Sequence, residues 1–488
     1  MKEQNNYYIT TTLPYVNAEP HIGFALEIVR ADALARWHRS IGDKVFFNTG
    51  VDEHGLKIYR KAQELGIEPQ IYCDQMAAKF LELKNLLDLS YDSFIRTTDP
   101  EHIIAAQEFW KLCEARGDIY KKNYLVKYCV GCELTKTESE LVEGKCPDHP
   151  NQELETIDEE NYFFKFSRYA SALLKLYENQ AEFVVPAAKL NEIRKFVERG
   201  LDDFSVSRLA TKMPWGVAVP GDEDQVMYVW FDALVNYISC LGWPNDYKKS
   251  LDLVQDDKSY DFARFWPGIQ ICGKDNLRQQ SAMWQAMLLS AGLPTSQQIL
   301  VNGFITSDGQ KMSKSLGNVV SPIELVNNYG TDAVRYFLLA GVNAHEDSDF
   351  TKEKFEAVYN ADLCNGLGNL NSRISTLFNK FDLDFVKPEK PTETLAKDFE
   401  VAMGKADWPK ATAVLWNWLK TADEILSNER PWKMEPGEAD QCLRPLAENL
   451  WSVAYLLQPI LPDTSAKLLA LWETGKIEKS ESLFPRLI

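Results

Sequence analysis

The stretch NAEPHIGFALEIVRADALARW, residues 17–37, decides the fold. Apolar residues recur at Ile22, Leu26, Val29, Ala33 and Trp37, one stripe of a helix. Pro20 sits where a first helical turn tolerates proline, which places His21 and Gly23 in that turn. Glycine weakens a helix by about 1 kcal/mol against alanine, so its place beside a histidine needs a reason. Upstream, YYITTTLPYV is rich in β-branched and aromatic residues and predicts a buried strand. Downstream, Gly42 is a stop signal and KVFFNTGVDEHG predicts a second strand. Strand, helix, strand makes a βαβ unit with parallel strands. Ligands of such sheets bind beyond the carboxyl ends of the strands. His21, Gly23, Asp52, Glu53 and His54 all fall at that edge. A helix N-terminus there is a seat for phosphate, with Gly23 allowing close approach and His21 adding a donor.

The chain has 488 residues, 45% hydrophobic and 25% charged, which fits a globular protein of two to four domains. No apolar run is long enough to span a membrane. The N-terminus lacks the apolar core of a signal peptide. Nine cysteines without a secretion signal predict reduced thiols and a cytoplasmic location. A net charge of −18 argues against a general nucleic-acid coat, so RNA binding would depend on particular side chains.

A second signal lies three hundred residues on. ILVNGFITSDGQKMSKSLGN predicts a strand, a Ser-Asp-Gly turn and a lysine-bearing loop with Lys311 and Lys314. Two ammonium groups on such a loop suit a polyphosphate whose charge grows in a transition state. Two helices follow, with Ser321 as N-cap, Pro322 first and Glu324 closing a capping box. Between the two signals, KYCVGCELTKTESELVEGKCPDHPN carries Cys129, Cys132, Cys146 and His149. Two tight pairs across a thirteen-residue segment form the pattern of a closed, structural Cys₃His zinc site. The other six cysteines, at 73, 113, 240, 272, 364 and 442, are expected to be buried thiols.

HIGF after a first strand, with KMSKS far downstream, resembles the signature pair of class I aminoacyl-tRNA synthetases. TTLPYVNAEPHIG, GVDEHG, YVWFDAL, GKDN and GQKMSKSLGN resemble, in order, the methionyl-tRNA synthetases over nearly the whole chain. The resemblance implies activation of L-methionine by ATP, with Mg2+, to methionyl-adenylate and pyrophosphate. Methionine then passes to the 3′ end of tRNA(Met). It implies catalytic roles for His21, Lys311 and Lys314. ATP would lie on His21, Gly23, Glu27, Gly273, Asp275 and Lys314. Methionine would lie among Leu13, Tyr15, Asp52, Trp230 and Tyr237, with Asp52 facing its ammonium. Asn369, Arg373 and Trp432 would read the anticodon CAU, and one Zn2+ would sit in the knuckle.

The expected fold is α/β: a Rossmann-type parallel-sheet catalytic domain with a zinc-binding insertion, plus a C-terminal α-helical bundle. Residues 1–116 and 216–310 would form the two catalytic halves, and 117–215 the connective insertion. Residues 311–354 would carry the KMSKS loop and linking helices, and 355–488 the anticodon domain. The chain ends soon after the bundle, so a monomer is expected. Three residues depart from the family pattern: Phe24 replaces the last histidine of HIGH, and Asn276 and Gln280 replace isoleucine and histidine near the methionine. The substitution Phe24→His is expected to be tolerated. These departures motivate two rivals, a non-catalytic tRNA-binding relative and a synthetase for another amino acid.

Overall fold

The computed structural model describes residues 5–132, 134–136, 141–244, 262–312, 317–473, 475–479 and 482–487. The opening βαβ unit is β1 (Asn6–Thr11), α1 (Ile22–Ser40) and β2 (Lys44–Val51). The central sheet continues with β3 (Ser93–Arg96), β4 (Val184–Val185), β5 (Ile269–Gly273) and β6 (Gln298–Asn302). Its order is β3-β2-β1-β5-β6-β4, parallel throughout. The order reverses between β1 and β5, so the crevice beyond Thr11 and Gly273 is the topological switch point.

Both faces are covered, as an all-parallel sheet requires. Along β1, Tyr7 and Ile9 enter one core and Tyr8 the other, the alternation of a strand. The first core holds α1 and the C-terminal helices. The second holds Trp110, Trp284 and the segment 164–241. Helix α1 is therefore buried on nearly every side, including Glu27, Arg30 and Asp32. Asp32 meets Arg335 at 2.8 Å and Arg36 at 2.8 Å. Arg335 also donates to Pro459 O and Ile460 O, which fixes the bundle to the sheet.

An antiparallel sheet of Leu134–Lys136, Ile119–Cys129, Glu155–Phe164 and Phe204–Ser205 carries the metal knuckle. Strand β4 falls inside the stretch expected to be a separate insertion, yet it pairs with β6 as the edge of the central sheet. The segment turns back because its apolar residues, Leu173, Tyr177, Phe183 and Leu190, complete the second core. The C-terminal bundle contains α2 (Asn369–Lys380), α3 (Trp408–Glu429) and α4 (Pro436–Leu456). Leu363, Leu367, Leu370, Ile374, Leu377 and Phe381 recur at intervals of three and four, one helical face. The first five are buried, while Phe381 is half-buried and Phe378 takes its place inside. Among the described residues no helix is long and apolar enough to cross a membrane.

Candidate active site and metal centre

Helix α1 starts at Ile22, two residues later than its proline suggests. His21 is the N-cap, with extended backbone, and its Nδ1 accepts from the Gly23 N–H at 3.0 Å. An imidazole that accepts at Nδ1 carries its proton on Nε2 when neutral. Burial lowers the His21 pKa and favours that neutral form. The glycine follows directly. A Cβ on residue 23 would stand 2.8 Å from His21 Cε1 and 3.0 Å from Nδ1. Gly23 leaves room for the ring that caps it.

The lysine-bearing loop packs on this corner. Met312 Cε lies 3.9 Å from where that Cβ would be, and the Ile22 N–H donates to Val320 O at 3.0 Å. Its base is the turn between Ile305–Ser307 and Gln310–Lys311, with Asp308 and Gly309 both at positive φ. Lys314 lies outside the described residues, as does the side chain of Lys311. Ser321 accepts from the Glu324 N–H as the expected cap. Phe24, the residue after Gly23, is buried and meets Phe80 edge-on at 5.3 Å. Phe24→His would therefore place a polar ring in a core, so its expected tolerance is a question of stability as well as of activity.

Glu27, one turn along, faces the switch point. Its Oε1 accepts from the Thr12 N–H at 2.7 Å and the Thr12 hydroxyl at 2.5 Å. Burial pushes its carboxyl up to about 8, against the Thr12 bonds, and the nearby Asp275 carboxylate adds to the rise. Gly273 ends β5 and its backbone bonds to Glu27. Glu27, Gly273 and Asp275 thus converge where the sheet order reverses.

The aromatic residues form the adjoining wall. Tyr15 bridges to Asp52 backbone to backbone and meets Trp230 edge-on at 6.3 Å. Leu13 lies between Thr12 and Tyr15 on the same segment, half-buried. Tyr237 is buried, and its hydroxyl accepts from Gln280 Nε2 at 2.6 Å. Asn276 Nδ2 reaches Asp275 Oδ1 at 3.5 Å. Asp52 is buried, with His54 N and Thr97 Oγ1 each 3.4 Å from its Oδ1.

Sequence reasoning used the aromatics of YVWFDAL and passed over Asp232. That carboxylate is fully buried and bonded to His54 Nδ1 at 2.7 Å and His102 Nε2 at 2.8 Å. Burial alone would raise its pKa, but the two imidazoles hold it down to about 2. The pair ties the end of β2 to the segment carrying Trp230 and Tyr237. A lone acid inside an apolar run, with His54 already placed at the ligand edge and His102 unassigned, was the available signal.

Cys129, Cys132, Cys146 and His149 bring their ligand atoms within 4.8 Å of one another. Cys132 Sγ lies 3.4 Å from Cys146 Sγ and 3.2 Å from His149 Nδ1. These separations suit the edges of a tetrahedron with bonds of about 2.0–2.3 Å to zinc, so the cluster could hold a zinc ion. Gly131 permits it, since a Cβ there would stand 2.5 Å from the His149 ring. The knuckle touches the aromatic wall: Tyr128 shares a small core with Tyr228 and Val229, and Tyr15, Val130 and Trp230 pack against it. Of the other cysteines, Cys73, Cys113 and Cys272 are buried, while Cys240, Cys364 and Cys442 are only half-buried.

At the far end, Asn369 is exposed at the start of α2. Arg373 pairs with Asp423 of α3. Trp432 is exposed in the short turn Pro431–Lys433 between α3 and α4, with its carbonyl accepting from Lys380 at 3.0 Å. All three belong to the same bundle.

The family described as tRNA synthetases class I (M) matches residues 7–155 and 149–375. A methionine–tRNA ligase of Thermosynechococcus vestitus is 41% identical, over 94% of this chain and 88% of its own length. That of a Nostoc species is 39% identical, over 96% and 90%. A Mycobacterium tuberculosis methionyl-tRNA synthetase solved with methionyl-adenylate superposes with a TM-score of 0.90 at 34% identity, over 99% of this chain and 100% of that one. Its ligand-free form gives 0.82 over 100% and 99%. The chain belongs to the methionyl-tRNA synthetases of class I.

Proposed function

We propose that this chain is a methionine–tRNA ligase. The observation that carries this is the His21–Gly23 corner at the switch point, with Met312 of the lysine-bearing loop folded onto it. A methionine carboxylate oxygen attacks the α-phosphorus of ATP. The bond to the β,γ-phosphates breaks, and pyrophosphate leaves. A hydroxyl of the terminal ribose of tRNA(Met) then attacks the methionyl carbonyl and releases AMP. No side-chain nucleophile is needed, so catalysis rests on positioning and charge stabilisation.

His21 donates from Nε2 to the phosphates, and Lys311 and Lys314 take the charge of the departing pyrophosphate. Gly23, Glu27, Gly273 and Asp275 hold the nucleoside part. Leu13, Tyr15, Trp230 and Tyr237 enclose the thioether, where ring contacts contribute about 0.3–1.5 kcal/mol each, and Asp52 receives the ammonium. Mg2+ bound with the ATP would spread its phosphate charge. One Zn2+ in the Cys₃His knuckle has a structural role. Asn369, Arg373 and Trp432 take the unstacked bases of the CAU anticodon. The chain works in the cytoplasm, where its cysteines stay reduced.

The test is amino-acid-dependent ATP–pyrophosphate exchange with each of the twenty amino acids and no tRNA. Exchange with methionine alone is expected. Exchange with a different amino acid would mean that Asn276 and Gln280 re-specify the pocket. None at all, from folded zinc-loaded protein, would favour a non-catalytic RNA-binding role.

A further inference from the structure

A cavity of about 260 Å³ opens beside the Gly273–Asn276 turn. Glu192, Lys195, Phe196 and Arg199 line it from the helix Ala187–Glu198 and its cap, and Leu277 and Arg278 from the other side. That helix begins two residues after the end of β4, so its first turn stands at the ligand edge of the sheet. Its Lys189 is close enough to Asp347, beyond β6, to help Lys274 hold that carboxyl low, and Lys274 meets Asp347 at 2.6 Å. The strip carries Lys189, Lys195, Arg199, Lys274 and Arg278 against Glu192, Asp275 and Asp347; Lys189 meets Glu192 at 2.6 Å, so Lys195, Arg199 and Arg278 supply most of its positive charge. In a chain of net charge −18 this concentration is local. The Arg278 guanidinium lies over the Phe196 ring at 4.5 Å, so cationic and aromatic faces share one wall, with the buried Leu277 beside them.

Cations beside a ring and an apolar surface suit an unpaired nucleotide, phosphate on the charges and base on the apolar wall. The cavity is far too small for a duplex. It adjoins the turn that carries Asp275, so a strand seated here would deliver its end to the switch point. We propose that the cavity seats an unpaired nucleotide of the tRNA 3′ end while the terminal ribose is charged. This rests on the ligase function proposed above.

The test uses Lys195→Glu, Arg199→Glu and Arg278→Glu in the full chain, all at residues outside the activation machinery. Each is expected to raise the KM for tRNA in aminoacylation about tenfold and to flatten its log–log salt dependence by about one. Methionine-dependent ATP–pyrophosphate exchange stays within about twofold of the parent. A tRNA lacking its unpaired 3′ nucleotides, used as a competitor, is expected to inhibit parent and variants equally. An unchanged tRNA KM overturns the proposal. So does an equal loss of affinity for the truncated tRNA, which would put the duplex on the strip. A rise in the KM for pyrophosphate with tRNA unaffected also overturns it, in favour of an inorganic anion. Failure of the ligase function itself would look different, since the parent would show no methionine-dependent exchange.

Discussion

At the ligand edge of the sheet, Glu27 accepts twice from Thr12, His21 caps Gly23 and Tyr237 accepts from Gln280. At the tip of the bundle, Asn369 and Trp432 stand exposed, and Arg373 is held by a surface carboxylate, Asp423. The first arrangement is fixed before any ligand arrives, which is what stabilising a developing charge requires. The second leaves Asn369 and Trp432 open to unstacked bases and ties only Arg373 to a neighbour. Substitutions at the edge should therefore damage chemistry, and substitutions at the tip should damage RNA recognition alone.

The largest effect is expected from His21→Asn. Asparagine is a good N-cap, so the variant can still satisfy the Gly23 N–H while losing the Nε2 donor. Exchange activity should fall about 10²- to 10³-fold, with the melting temperature nearly unchanged. A matching collapse of stability would mean that His21 is only a cap. Trp432→Ala should leave exchange intact and lower aminoacylation efficiency about tenfold or more, the worth of one stacked base. Because Trp432 is exposed, its loss should change stability by less than about 0.5 kcal/mol. Loss of both activities together would sink the division between the two ends.

Phe24→His asks how far the rigidity of the edge extends. The ring sits in the core against Phe80, so a buried imidazole should cost about 1–2 kcal/mol in denaturant unfolding. Unaltered stability would place residue 24 at the surface of the site after all. Glu27 offers a smaller, pH-dependent test. Its carboxyl is raised from 4.5 to about 8, so the folded state keeps a proton that the unfolded chain has lost. The stability it contributes is fully present below about 4.5 and is lost as pH rises through about 8. The melting temperature should fall between pH 6 and 9, and Glu27→Gln should flatten that fall. Parallel curves would show that Glu27 is ionised throughout.

Much of this edge was legible because each element announced itself locally. The stripe of α1, the strand composition on either side and the Cys₃His spacing each required neighbours a few residues apart. What was hidden depended on distant partners. Phe24 reads as a lost phosphate donor until Phe80, 56 positions on, fills the space around it. Asp232 is one acid in an apolar run until His54 and His102 converge on it. Strand β4 is too short to declare itself, and only its pairing with β6 makes it part of the sheet. At the bundle, helical spacing set the apolar face correctly, but it could not show that Arg373 meets Asp423 on another helix.

That ion pair gives the smallest and sharpest test of the comparison. Both side chains are partly exposed, at 28% and 46%, so the pair contributes little to stability. Asp423 can act on RNA binding in two opposed ways. Its charge repels phosphate, and its bond to Nη1 holds the guanidinium fork in place. Salt screens both, but it screens repulsion acting across solvent to a phosphate more than the direct hydrogen-bonded contact that orients the fork. Orientation should win at physiological ionic strength. Asp423→Asn is then expected to raise the KM for tRNA about threefold, consistent with the ~0.2–1 kcal/mol of an exposed pair, and the rise should persist at higher salt. Exchange without tRNA should not change. A fall in KM that fades with added salt would mean that Asp423 is an electrostatic brake, and that Arg373 works best when unpaired.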